Sequence, residues 1–467
     1  MKSSARTICL LVVFLTTGIS SIANQPIRVH PQNFRYFINS SGETVVLSGS
    51  HTWMRKKVKS HFVADGWDIR KFNRYLDFLQ HWNHNYIRLW MWEHRGDVDI
   101  WLRNADGKYD LSKLNPAYFE LVKSFVASVE ARGMYVGVML FQGWSGCCEA
   151  SKADWASHPM HADNNINCID GDPDKIGYGN KVHSLINSQI VKYQEEYLMA
   201  MINALNGFDN LIWEIGNETI RSSIPWKAHI TGFIKGFEKE MPKQHMVLDG
   251  TGNGVGNNSI VQTGCDIFSP CVEKEWASPT EPYIANPPSP DEEVKKPVVL
   301  DNDHLGNHFL RHSALLQRQW TWKSFTRGCH PIHMDCYDVY WDGAFATPDH
   351  PIKGVATNPH YDPQRKSLGD ILKYAGKTKM AEMVPVADSL ICSTTFCLMN
   401  QGNEYIIYQP DAGLEIVVNL PTGNYQAEFF DTIDSSVSNQ TIKTSGGKMV
   451  IRKPDHVAED WVLYLSK

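Results

Sequence analysis

The chain has 467 residues, which is long for one ordinary domain, and 42% of them are hydrophobic, enough for a substantial core. Its formal charge of -6, from 45 basic and 51 acidic residues, provides no basic field and argues against nucleic acid or an anionic membrane as partner. Aromatic content is high, with 15 Trp. Most such rings fill cores, but those beside polar loop residues also suit stacking on the apolar face of a sugar ring.

Residues 1–23 read as a secretory signal. Lys2 and Arg6 precede an apolar run over 8–15, and Ser21-Ile22-Ala23 supplies small residues for cleavage after Ala23. That run is too short to span a bilayer, and no later segment is long enough. The expected mature protein is exported, secreted or periplasmic. Cys9 leaves with the signal, so nine of ten cysteines remain. In an oxidising compartment the close pairs Cys265/Cys271, Cys329/Cys336 and Cys392/Cys397 are disulfide candidates. Their spacing is not that of a zinc ribbon, and neither a metal nor an organic cofactor is expected.

From residue 24 to about 385, short apolar runs alternate with longer amphipathic ones, the rhythm of parallel βα units. Strands are expected at 45–47, 86–89, 135–140, 211–215, 246–248, 266–268, 298–300 and 331–334. Helices are expected at 68–82, 116–131, 188–205, 224–241 and 368–375. Eight short, nearly continuously apolar strands suit a (β/α)8 TIM barrel. Over 386–467 the pattern turns to strands separated by Gly, Asn and Pro, at 404–408, 415–419, 425–430, 449–451 and 461–465. This predicts a small all-β antiparallel sandwich domain, with Trp461, its one tryptophan, in the core. No long linker separates the two parts, so an extended apolar interface is expected.

In such a barrel, chemistry sits where strands end. The fourth run ends Trp213-Glu214-Ile215-Gly216-Asn217-Glu218; alternation places Glu214 and Glu218 on one face, with Glu218 at the mouth. A strand ending in Asn-Glu suits a glycosidase, the Asn217 amide holding a sugar hydroxyl and the Glu218 carboxyl giving and taking a proton. The competing reading makes Asn217 and Glu218 caps of the next helix. The seventh run leads into Asp301-Asn302-Asp303-His304, where Asp301 and Asp303 project to one side. Either carboxylate could oppose Glu218 at the roughly 5 Å separation of a retaining mechanism; an Asx-turn or a cation site is the competing reading. Further polar and aromatic residues follow other strands: His51 and Trp53 after the first, Arg88, Trp92 and Glu93 along the second, Gln142 and Trp144 after the third, Asp249 after the fifth, Asp335 after the eighth.

Asn85-Tyr86-Ile87-Arg88, Asn217-Glu218 and the acidic residue after the seventh strand together resemble clan A of the glycoside hydrolases. More narrowly, segments such as Leu47-Ser48-Gly49-Ser50-His51-Thr52-Trp53 and Asn419-Leu420-Pro421-Thr422-Gly423 resemble apiosidase-like barrel proteins with a C-terminal β-sandwich of the collagen-binding type. The resemblance implies a secreted hydrolase of glycosidic bonds acting on a polysaccharide or oligosaccharide. Glu218 would be its acid/base, and Asp303, ahead of Asp301, its nucleophile or charge stabiliser. Asn217, Arg88, His51, Trp53, Trp92, Glu93, Gln142, Trp144, His304 and Asp335 would line the sugar site. One departure stands out: the clan usually places Glu at the nucleophile position, and this chain has Asp. The rival readings are a carbohydrate-binding or adhesion protein on a barrel scaffold, and a lyase or transglycosidase using the same carboxylates.

Overall fold

The computed structural model describes residues 25–52, 55–58, 61–64, 68–91, 98–146, 149–250, 261–270, 286–302, 313–335, 337, 359–457 and 459–467. The signal at 1–23 and the site candidates Trp53, Trp92, Glu93, Asp303 and His304 lie outside the described residues.

Eight strands follow in order: β1 (Gly49–His51), β2 (Tyr86–Trp90), β3 (Tyr135–Gln142), β4 (Leu211–Asn217), β5 (Val247–Gly250), β6 (Ile267–Ser269), β7 (Val299–Asn302) and β8 (His330–Met334). They form two parallel sheets, ordered β6-β5-β4-β3-β2 and β7-β8-β1. A parallel bridge between Phe268 and Val298 links β6 to β7. Where β1 approaches β2, the Asn85 N–H donates to Ser48 O at 3.0 Å. Neither seam is a continuous ladder, so the chain is a mixed α/β structure whose two parallel sheets abut at both edges.

Two-residue alternation decides which side chains face inward. Leu47, Tyr86, Ile212, Leu248, Ile267, Val299 and Ile332 share one buried cluster inside the strands. Residues at the other strand positions, Ile87, Leu89, Val136, Val138, Leu211, Trp213 and Val247, belong to the larger cluster shared with the helices. The helices are α1 (Ile69–His81), α2 (Pro116–Glu130), α3 (Ser188–Leu205), α4 (Ile224–Glu238), α5 (Ala314–Thr326) and α6 (Asp362–Lys377). Their starts follow local chemistry. Asp68 caps α1 by accepting the Lys71 N–H at 2.8 Å, Asn187 caps α3, and Pro stands in the first turn of α2, α4 and α6.

Two expectations need correction. The first parallel strand is Gly49–His51 and not 45–47, because Thr44–Val45 instead joins a small antiparallel sheet with Arg28–Val29 and Phe37–Ile38. Helix α5 was not anticipated: Gln317, Arg318, Thr321, Lys323, Ser324 and Thr326 are as buried as its apolar residues, so no amphipathic period marks it.

Residues from Val384 form strands β9 (Val384–Val386), β10 (Cys397–Asn400), β11 (Glu404–Gln409), β12 (Glu415–Leu420), β13 (Gly423–Asp431), β14 (Val437–Thr444), β15 (Gly447–Arg452) and β16 (Trp461–Ser466). Six make an antiparallel sheet, ordered β9-β10-β11-β16-β13-β14, and β12 pairs with β15. Both sheets contribute to one core, in which Trp461 is fully buried and donates from its indole to Gly413 O at 3.0 Å. A second cluster crosses to the helices, with Tyr36, Trp322, Phe325, Ile371 and Tyr374 against Phe396, Leu398, Ile406, Tyr408, Phe430 and Val462. At its edge the Arg318 guanidinium pairs with Asp460 at 2.6 Å, both groups buried. Cys392 and Cys397, expected as a disulfide, stand as buried thiols in hydrogen-bonding contact; Cys397 donates and brings the Cys392 thiol down to about 7. No helix among the described residues is long and apolar enough to cross a membrane.

Candidate active site

Tyr86, Arg88 and Trp90 alternate along β2, so all three point inward. Arg88 is buried between two carboxylates: its Nε lies 2.6 Å from Glu214 Oε2, and its Nη1 donates to Asp301 Oδ2. Glu214 comes from the middle of β4 and Asp301 from the third position of β7, so three separate strands build one charge cluster. Gly137 on β3 makes room for it, since a Cβ there would stand 2.2 Å from the Tyr86 hydroxyl and 3.7 Å from Glu214 Oε2.

The two carboxyls diverge electrostatically. Burial pushes the Glu214 carboxyl up to about 7; the Arg88 charge opposes this and the Asp301 charge reinforces it. Burial would raise Asp301 as well, but the Arg88 charge and, after it, the His51 contact outweigh it and hold this carboxyl well below the usual carboxylate range. The cluster thus keeps Asp301 ionised while Glu214 can hold a proton near neutral pH. Nη2 of Arg88 is buried and has no hydrogen-bond partner among the described residues.

His51 closes the other side of Asp301. Its Nε2 lies 3.1 Å from Asp301 Oδ1, and its Nδ1 accepts the Trp90 indole N–H at 2.7 Å. Trp90 is packed against Met139 and Met334 in a small cluster of its own.

Glu218 follows the last residue of β4 with φ at 47°, a left-handed conformation uncommon for a side chain of its kind and concentrated at functional sites. Gly143 holds this turn from β3. Its N–H donates to Asn217 O at 2.6 Å, and an added Cβ would meet Asn217 O, Thr219 Cα and Thr219 N at 2.5 Å each. Helix α4 starts only at Ile224, after Ser223, so Asn217 and Glu218 are not its caps. Both residues are half-buried.

The structure therefore brings together Asp301, Arg88 and His51, and sets Asn217 and Glu218 at the end of a strand in the same parallel sheet as β2. It places four other candidates differently. Asp335 is fully buried and bound twice by Arg365 of α6, at 2.5 and 2.7 Å, which occupies both carboxylate oxygens and removes it from a sugar-binding role. Gln142 is fully buried and its Oε1 accepts the Trp144 backbone N–H. The half-buried Trp144 ring donates to Asp154 Oδ2 at 2.9 Å. Asp249, also at a strand end, turns outward to Lys227 of α4 at 2.8 Å. Glu214 and Trp90 join the cluster without having been among the sequence candidates for the site; the alternation that turns Arg88 inward along β2 carries the signal for Trp90, and that along β4 for Glu214.

No protein-family model matches the chain, and no curated protein sequence matches it. Solved structures do. A glycoside hydrolase aligns with 95% of this chain and 97% of its own at a TM-score of 0.63 and 13% identity. A glycoside hydrolase of family 5 from Bacteroides vulgatus aligns over 95% and 93% at 0.64, also with 13% identity. An endo-1,4-beta-mannanase from Rhizomucor miehei aligns over 75% of this chain and 100% of its own at 0.50, with 12% identity. At these identities the likeness is one of fold, and for the first two it extends over nearly the whole chain, C-terminal sheets included.

Proposed function

We propose that this protein is a secreted glycoside hydrolase of the clan A, apiosidase-like type, built as a (β/α)8 barrel over 24–385 with a β-sandwich over 386–467. The observation that carries the reading is the Asp301 carboxylate, clamped by Arg88 and His51 at the end of β7, combined with Glu218 on a strained turn at the end of β4. Two carboxyl groups at the ends of different inward-facing strands are what cleavage of an acetal requires. The fold shared with glycoside hydrolases supports it.

In the proposed retaining reaction, Glu218 enters protonated and gives its proton to the leaving glycosidic oxygen. Asp301 attacks the anomeric carbon, or stabilises its positive charge, as the C–O bond breaks. Glu218 then takes a proton from water, whose oxygen displaces Asp301 with a second inversion. Asp301 is preferred to Asp303 on the Arg88 and His51 contacts, which supply an ionised, fixed carboxylate. Asn217 is a donor for a sugar hydroxyl, with Trp144 as a subsite wall. No cofactor takes part in this scheme.

A panel of oligosaccharides with product detection tests the activity, and Glu218→Gln tests the assignment. General acid/base catalysis contributes about 10²–10⁴-fold, so the variant should lose at least that factor while still binding the sugar. Binding without turnover by the unmodified protein across the panel would favour the carbohydrate-binding reading. N-terminal sequencing of the exported protein should find cleavage after Ala23.

A further inference from the structure

Trp90 is buried, and its indole N–H donates to His51 Nδ1 at 2.7 Å, with the two ring planes 25° apart. An indole nitrogen can only donate. The His51 Nδ1 must therefore present its lone pair, and a neutral imidazole in that state carries its hydrogen on Nε2. Nε2 faces Asp301 Oδ1 at 3.1 Å, and an ionised carboxylate can only accept. Donor, relay and acceptor thus match in one direction only.

We propose that Trp90 is a positioning residue, whose indole N–H locks His51 in the neutral Nε2–H tautomer and so makes it a fixed hydrogen-bond donor to Asp301. The inference rests on the glycosidase reading for its consequence, though not for its geometry. The opposite tautomer would set N–H against N–H at Trp90 and a lone pair against the carboxylate. Full protonation would place a hydrogen on Nδ1 against the same indole N–H. The lock matters because the negative charge of Asp301 would otherwise draw a second proton onto His51. An imidazolium there, added to Arg88, would neutralise the carboxylate that must attack.

The charged and titratable groups around the Asp301–His51 pair come from every neighbouring strand. Arg88 of β2 contacts Asp301, Glu214 of β4 lies behind Arg88, and His333 of β8 adds its field to Asp301. Met334 of β8 pairs in register with His51, and Met139 of β3 packs on Trp90. The indole N–H is the group among these that contacts Nδ1 and discriminates between protonation states of His51.

The test is ¹⁵N NMR of the full chain labelled at histidine, reading two-bond nitrogen–proton correlations from pH 5 to 8, with the His51 signals identified by their loss in His51→Gln. In the unmodified protein, Nδ1 should show a lone-pair nitrogen and Nε2 a protonated one throughout. Trp90→Phe keeps an aromatic ring and removes the N–H. His51 should then titrate inside this range, and the acid limb of kcat/KM should move up by about one pH unit, the scale of one lost hydrogen bond. In His51→Gln, whose amide can accept from Trp90 and donate to Asp301 without titrating, the acid limb should stay where it was. A protonated Nδ1 in the unmodified protein overturns the proposal, as does an unchanged His51 spectrum in Trp90→Phe. If Trp90→Phe does not fold, the tautomer in the unmodified protein decides alone. The NMR result stands whether or not the protein cleaves sugars, so a failed glycosidase reading is told apart by missing turnover with the tautomer intact.

Discussion

Gly143→Ala tests whether the end of β3 sets the backbone that presents Glu218. The added methyl would lie 2.5 Å from Asn217 O, Thr219 Cα and Thr219 N, while ordinary contact begins at 3.4 Å, so about 0.9 Å must be found. All three atoms are backbone, and no rotamer change relieves them. If the strand ends hold, the overpacking should appear as about 1–3 kcal/mol of lost stability. If the turn yields, Glu218, which sits between the two clashing residues, moves by nearly the same distance, and misplacement on the order of 1 Å costs about 10²-fold in rate. The two outcomes separate by measuring thermal unfolding beside kcat/KM on two glycosides of the same sugar, one with an activated aryl leaving group and one with an unactivated sugar leaving group. In the proposed mechanism protonation by Glu218 matters mainly for the poor leaving group, so the rate loss should fall chiefly there. An equal loss on both substrates, or full activity with unchanged stability, would refute the idea that Gly143 positions the proposed acid/base.

Asp301→Asn should abolish turnover and Asp303→Asn should reduce it less, measured as kcat on one substrate; the reverse ranking would transfer the nucleophile to Asp303. The Glu214 carboxyl, raised to about 7 by burial, binds a proton in the folded state that the unfolded chain, near its ordinary value of 4.5, releases. Its contribution therefore makes stability fall as pH rises from about 4.5 to about 7. Denaturant titrations of Glu214→Gln should lack that slope, and an unchanged slope would place the proton elsewhere. Truncation near Val386 strips Trp322, Phe325, Ile371 and Tyr374 of their apolar partners, each worth roughly 1.5–3 kcal/mol of burial, and leaves Arg318 without Asp460. The shortened chain should be insoluble or strongly destabilised; a monodisperse product with an unchanged Tm would show an independent accessory domain.

Local chemistry in the sequence determined most of the framework. Seven of the eight parallel strands lie within two residues of where short β-branched runs predict them, and Asp68, Asn187 and the early prolines mark helix starts through their own hydrogen-bonding and φ constraints. Alternation along β2 and β7 likewise put Arg88 and Asp301 on inward faces, because a strand repeats every two residues whatever surrounds it, while Glu218 follows β4 in a left-handed turn that alternation does not govern. The same rule could not separate Asp301 from Asp335. Both are acidic residues at strand ends, yet one meets Arg88 and His51 inside the strands while the other meets Arg365 beneath a helix. Helix α5 was hidden for a related reason: it is covered by strands on one side and the C-terminal sheet on the other, so its polar residues are buried and its periodicity is lost. Strand β14 escaped notice as the edge of its sheet, where Ile442 is its only buried residue. The partner of each charge was decided only by tertiary structure, since an ionised side chain takes its pKa from the groups that desolvation forces upon it, and those groups lie far away along the chain.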